Sequence, residues 1–223
     1  MDSFIFSLFA FVYIVLLIWL LWKHAKTASI ILVFVIIALI YDNVILAVGD
    51  FIGEGELLKI LSAPRFWLHA LFTPFLIIFS YFVLAEARIP FAQKTWVAIL
   101  FIVGTIVAII MEYVLMVKDL SLKVTDEYGV ISYTSATESS GPPVMMIIVI
   151  AALVVAAIVL AWKRKWWWML VGLILMAVGG AITPFIESNA VTNLSELCLV
   201  ITLVSTAIHF SHEKKTKVLA ENC

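Results

Sequence analysis

The sequence predicts an all-α integral membrane protein of seven transmembrane helices, with its N-terminus outside, its C-terminus cytoplasmic, and a short external hairpin-like loop between helices four and five. Three observations carry that expectation. Of the 223 residues, 65% are hydrophobic and 13% are charged, with a mean hydropathy of +1.17. Those values lie far outside the range of a soluble domain. Second, seven apolar stretches fit along the chain, each near the ~20 residues that a helix needs to cross the hydrocarbon of a bilayer. They are residues 4–22, 29–48, 65–84, 96–117, 144–162, 167–185 and 194–211, within one polytopic domain spanning 1–223. Third, the charges are partitioned. Lys23, Lys26, Arg88, Lys94, Lys163, Arg164, Lys165, Lys214, Lys215 and Lys217 are ten of the 14 basic residues, and all fall after spans one, three and five or in the tail. Basic residues collect on the cytoplasmic side, which orients the chain. Asp2, Asp50, Glu54, Glu56, Asp119, Asp126, Glu127 and Glu138 fall on the other side.

Span one begins Met-Asp-Ser, without positive charge, and no small-x-small site precedes Lys23. It therefore reads as a span, not a cleaved signal peptide. Span two contains the run IIALIYDNVILAVG, which sets Tyr41, Asp42 and Asn43 among aliphatic residues. The segment 50–64 mixes glycines with Leu57, Leu58, Ile60 and Leu61, the pattern expected of a short interfacial helix. In span three, Arg65, His69 and Thr73 are spaced i, i+4 and i+8, on one stripe. Span four carries Glu112 and Tyr113 inside FIVGTIVAIIMEYVLMV.

The loop 118–143 alternates around Tyr128-Gly129, which predicts a hairpin, before Pro142-Pro143 start span five. Over an outer mouth such a hairpin is a lid or a docking surface; otherwise it is a plain connector. Trp96 and the tryptophans from Trp162 to Trp168 form an aromatic belt at the cytoplasmic boundary. Gly172, Gly179, Gly180 and Ala181 mark span six as a closely packed helix. His24, His209 and His212 read as interfacial residues near lipid headgroups. Cys198 and Cys223 lie at opposite ends of span seven and cannot pair within one chain.

Acidic side chains inside the spans are the strongest functional signal. Each ionisable group in a membrane span costs about 2.5–3.5 kcal/mol on insertion scales, so by default it marks a functional site. Asp42, His69 and Glu112, with Glu187 and Glu196, map to one layer about 5–10 Å inside the outer boundary at 1.5 Å per residue. Asp42, His69 and Glu112 form the expected catalytic core. Arg65, Asn43, Tyr41 and Tyr113 are expected to bind substrate, Arg65 by meeting an anionic headgroup. Asn193 and Glu196 also fit a helix N-cap with a capping-box glutamate. The acids otherwise read as a polar network that holds helices together.

Two chemistries suit the cluster. His69, Glu112, Glu187 and Glu196 are ligand types for one divalent ion, zinc, iron or manganese, with an open position for water. Without a metal, two carboxyl groups and His69 provide acid–base capacity. No nucleophile motif such as GxSxG occurs. A seven-span, N-out topology with histidines in span seven resembles the alkaline ceramidase group, zinc-dependent lipid amidases, in topology. That group's zinc histidines gather at one face, whereas His69 and the His209–His212 pair lie at opposite faces, so no residue is carried across.

The sequence thus predicts an intramembrane enzyme acting on a lipid or lipid-linked substrate at the outer leaflet, in a bacterial cytoplasmic membrane. Membrane lipids are its expected partners and nucleic acid is not. A cation or proton-coupled transporter using the same carboxylates is the alternative. That reading requires a polar path inward, for which Thr73, Ser80, Thr202, Ser205 and Thr206 are the candidates. A receptor or assembly subunit is the third.

Overall fold

Long apolar runs without internal breakers become helices, and prolines and glycines set where they stop. The computed structural model describes residues 2–23, 27–127, 130–136, 144–186 and 189–221. Its helices are α1 (Asp2–Trp22), α2 (Thr27–Ile52), α3 (Glu56–Phe72), α4 (Phe75–Glu86), α5 (Thr95–Glu112), α6 (Val144–Arg164), α7 (Trp168–Ile186) and α8 (Asn189–Glu221). Strands β1 (Leu122–Glu127) and β2 (Val130–Ser135) pair antiparallel, with Leu122 opposite Ser135 and Glu127 opposite Val130. The expected hairpin is therefore present, although its turn, Tyr128-Gly129, lies outside the described residues, as do Glu138 and Pro142-Pro143.

Six helical stretches among the described residues are long and apolar enough to cross a membrane. They are α1, α2, α3 with α4, α5 with its following turn, α6, and α8; the apolar part of α7 is shorter. The surface agrees with such a setting. On α5 only Val97, Thr105 and Ala108 are buried, while Ile99, Leu100, Val103, Ile106 and Ile110 are exposed. An apolar face of that extent is ordinary against lipid and a liability against water.

Three differences from the expected elements have physical causes. The segment expected as an interfacial helix is the first part of α3, which runs from Glu56 straight through Pro64 to Phe72. A proline removes one helical hydrogen bond, and neighbouring helices and side chains satisfy the freed backbone groups in a membrane bundle. The carbonyl that Pro64 leaves without its helical donor is that of Ile60, and one residue on the Tyr41 hydroxyl of α2 donates to the Leu61 carbonyl at 2.8 Å. Second, the expected single span 65–84 is split between α3 and α4 at Thr73-Pro74. There Leu76 and Ile77 N–H turn to the Thr73 and Pro74 carbonyls. Third, α5 widens after Glu112 into a π-helical turn over Tyr113–Val117, closed by Lys118 N–H on the Tyr113 carbonyl at 2.8 Å.

The core is built on α1 along α2, α7 along α8, and α4 against α6, with residues such as Phe6, Tyr13, Phe79, Leu153 and Phe210 fully buried. On α7, a Cβ at Gly172 would run into Thr202, and one at Gly179 into Ser195, both on α8. Those glycines let the two backbones approach closely. At the other end of the bundle Trp166 is folded inward, donating to Thr206 Oγ1 at 2.9 Å and stacking on His209 at 3.9 Å. Trp162, Trp167 and Trp168 are exposed as a belt requires.

The hairpin is docked, not loose. Tyr133 of β2 packs with Ile45 of α2 and Leu58 of α3, and Asp50 Oδ1 accepts from Ile131 N–H at 2.8 Å. Gly49 lies directly under the Ile131 carbonyl, where a Cβ would overlap it. Gly49→Ala is therefore expected to lift the hairpin, at the 1–3 kcal/mol typical of overpacking. Amide exchange at Ile131 should speed up by about tenfold or more, since 1.4 kcal/mol is a factor of ten. Unchanged exchange would show that the hairpin is held elsewhere.

Candidate functional site

A cavity of about 150 Å³ begins near the hairpin end of the bundle and is walled by α2, α3, α4, α6, α7 and α8. Its polar lining is Asp42, Arg65, His69, Thr73, Asn193 and Glu196. The rest is apolar, contributed by residues such as Val35, Phe72, Leu76, Val149, Leu153, Met176 and Leu199. One end of the cavity is thus equipped for charge and the remainder for hydrocarbon.

Asp42 is the hub. Its Oδ1 accepts from Arg65 Nε at 2.7 Å, with the side chains 28% and 13% exposed respectively. The stripe read from the sequence brings Arg65, His69 and Thr73 to the cavity together. His69 Nδ1 and Thr73 Oγ1 share a hydrogen bond at 3.2 Å, which leaves Nε2 without a partner among the described residues. Arg65 and Asp42 both lie within electrostatic range of His69. Arg65 Nη1 also donates to the Tyr133 carbonyl at 3.5 Å, so one guanidinium joins the cavity to the docked hairpin.

Asn43 is fully buried and faces α8. Its Nδ2 donates to the Leu39 carbonyl at 2.9 Å, and its Oδ1 accepts from Asn193 Nδ2 at 3.1 Å. That bond overturns the capping-box reading. Helix α8 begins at Asn189, four residues upstream, so Asn193 and Glu196 are interior helical residues. Both line the cavity. Asp42 lies within electrostatic range of Glu196.

The remaining candidates go elsewhere. Glu112 is half-buried at the end of α5 and is not among the residues lining the cavity. Tyr113 packs against Trp67, with ring centroids 5.7 Å apart. Tyr41 is committed to Leu61. Glu187 lies outside the described residues, as do His24 and the side chain of His212. Among the described residues no three His, Cys, Asp or Glu side chains come together as a metal site.

Tyr13 of α1 escaped the sequence reading. It is fully buried, and its hydroxyl has no hydrogen-bond partner among the described residues. Glu196, Asp42 and Cys198 all lie within its electrostatic range. A tyrosine in an apolar span carries no charge to mark it, so only the packing of α1 against α8 shows its position. No family model, curated protein or solved structure matches the chain.

Proposed function

We propose that the protein is a seven-span intramembrane enzyme acting on a lipid or lipid-linked substrate, with the hairpin end of the bundle facing out of a bacterial cytoplasmic membrane. The observation that carries this reading is the Asp42–Arg65 pair beside His69 at the polar end of an otherwise apolar cavity. An amphiphile has that same division, a charged head and a hydrocarbon body. Arg65 meets an anionic headgroup through the N–H groups that Asp42 and Tyr133 leave free. His69 accepts the proton of an attacking hydroxyl, from water or an acceptor alcohol, and returns it to the leaving oxygen. Asp42 holds the guanidinium in place.

The steps above are written for the side chains alone: of the residues read as metal ligands, His69 and Glu196 line the cavity, Glu112 does not, and Glu187 lies outside the described residues. Glu196 keeps the transport alternative in view, since its carboxylate has no hydrogen-bond partner among the described residues. Of the hydroxyls read as an inward path, Thr73 lines the cavity beside His69. Ser80, Thr202 and Thr206 each spend their hydroxyl on a carbonyl of their own helix, at 2.6–2.9 Å.

The test is turnover of a total bacterial lipid extract by purified protein in nanodiscs, followed by mass spectrometry. The wild-type protein is expected to deplete one lipid class and release a product. His69→Gln should slow this by about 100-fold or more, the scale of a lost general base. Equal conversion by His69→Gln would remove His69 from the chemistry, and ion flux without conversion would favour transport.

A further inference from the structure

We infer that the polar end of the cavity recognises a zwitterionic headgroup, an anionic phosphate at Arg65 and a primary ammonium at Glu196; this rests on the lipid-directed reading above. The argument starts from charge. Arg65 is held by Asp42 at 2.7 Å, so one cation and one anion already face each other in the cavity wall. Glu196 is a second carboxyl group in the same wall, without a hydrogen bond or ion pair among the described residues. A carboxylate buried without a partner is strongly unfavourable and takes up a proton unless a cation meets it. A ligand ammonium placed between the two acids supplies the missing counter-charge.

The acceptors around that point suit a primary amine, whose three N–H groups each need one. Asp42 Oδ2 has no partner among the described residues, and Asp42 lies within electrostatic range of Glu196. Glu196 brings two more carboxylate oxygens to the same cavity wall. These are three acceptors of the kind an ammonium seeks. Size points the same way. The polar end is only part of a cavity of about 150 Å³, a space that as a whole holds a benzene-sized guest, so the head that enters must be compact. A phosphoethanolamine head fits this scale better than a trimethylammonium head, which is wider and has no N–H to donate.

The experiment is native mass spectrometry of delipidated protein with short-chain phosphatidylethanolamine, phosphatidylcholine and phosphatidylglycerol added in equal amounts. Phosphatidylethanolamine is expected to be retained about tenfold over the other two. Glu196→Gln should bring its retention down to that of phosphatidylglycerol, while phosphatidylglycerol binding is unchanged, which also shows that the variant folds. An unchanged preference in Glu196→Gln would overturn the inference. So would displacement by free ethanolamine at concentrations matching the lipid, which would assign the site to a soluble amine. Equal retention of all three lipids, with turnover still dependent on His69, would sink the headgroup assignment and spare the enzyme reading. No saturable lipid binding would sink both.

Discussion

Asp42→Asn is expected to destabilise the protein by about 2–3 kcal/mol and to abolish turnover. Removing one partner of a buried ion pair costs about 3–5 kcal/mol because the other charge is stranded. The lower figure applies because Asp42 keeps 28% of its side chain exposed. Arg65→Met should cost a similar amount, since it strands Asp42. The two changes share one interaction, so together they should cost less than their sum by about 1–2 kcal/mol. Thermal unfolding of the four proteins in nanodiscs reads this coupling directly. Additive losses would mean that the two side chains stabilise the fold independently. Turnover should fail in all three variants, because Asp42→Asn frees the guanidinium from its position and Arg65→Met removes it.

Gly179→Leu is expected to be as damaging by a different route. The first side-chain atom already overlaps Ser195, whose Oγ is held on the Val191 carbonyl at 2.8 Å. That hydrogen bond restrains Ser195 from turning aside, so α7 and α8 must separate. Overpacking of this kind costs about 1–3 kcal/mol for small additions, and a leucine adds three carbons beyond the Cβ. Met176 on α7 and Glu196 on α8 both line the cavity, so a wedge between these helices also spoils the site. Gly180→Leu is the control. A Cβ there meets nothing within 4 Å, and both stability and turnover should hold. Equal behaviour of the two variants would show that α7 is not seated on α8 as described.

That several polar residues share one level of the bundle was readable from the sequence, and direction around each helix was not. Asp42, Arg65, His69 and Glu196 announce themselves as polar groups in apolar runs, and the i, i+4, i+8 spacing put Arg65, His69 and Thr73 on one face. Glu112 sends the same signal at the same depth, yet α5 sits at the edge of the bundle and leaves it off the cavity. The azimuth of a helix is set by its neighbours, which a single apolar run does not encode. Asn193 failed for a local reason: Asn-Leu-Ser-Glu mimics a helix start, and only the upstream residues of α8 displace it into the interior. The interfacial helix failed because Pro64 and the glycines at 53 and 55 resemble stops, whereas only the glycines interrupt the helix. The hairpin was legible because its strands alternate around Tyr128-Gly129, but its attachment to Gly49, Asp50 and Arg65 is tertiary.

The central claim is that the Asp42–Arg65 cavity takes up an amphiphile. Photo-crosslinking measures this most directly, using a phospholipid that carries a diazirine near its headgroup and peptide mapping of the adducts. The account predicts adducts on cavity residues such as Phe72, Met146 and Met176, saturable by unlabelled lipid and lost in Arg65→Met. Adducts confined to the exposed face of α5, or cavity adducts indifferent to Arg65→Met, would contradict it.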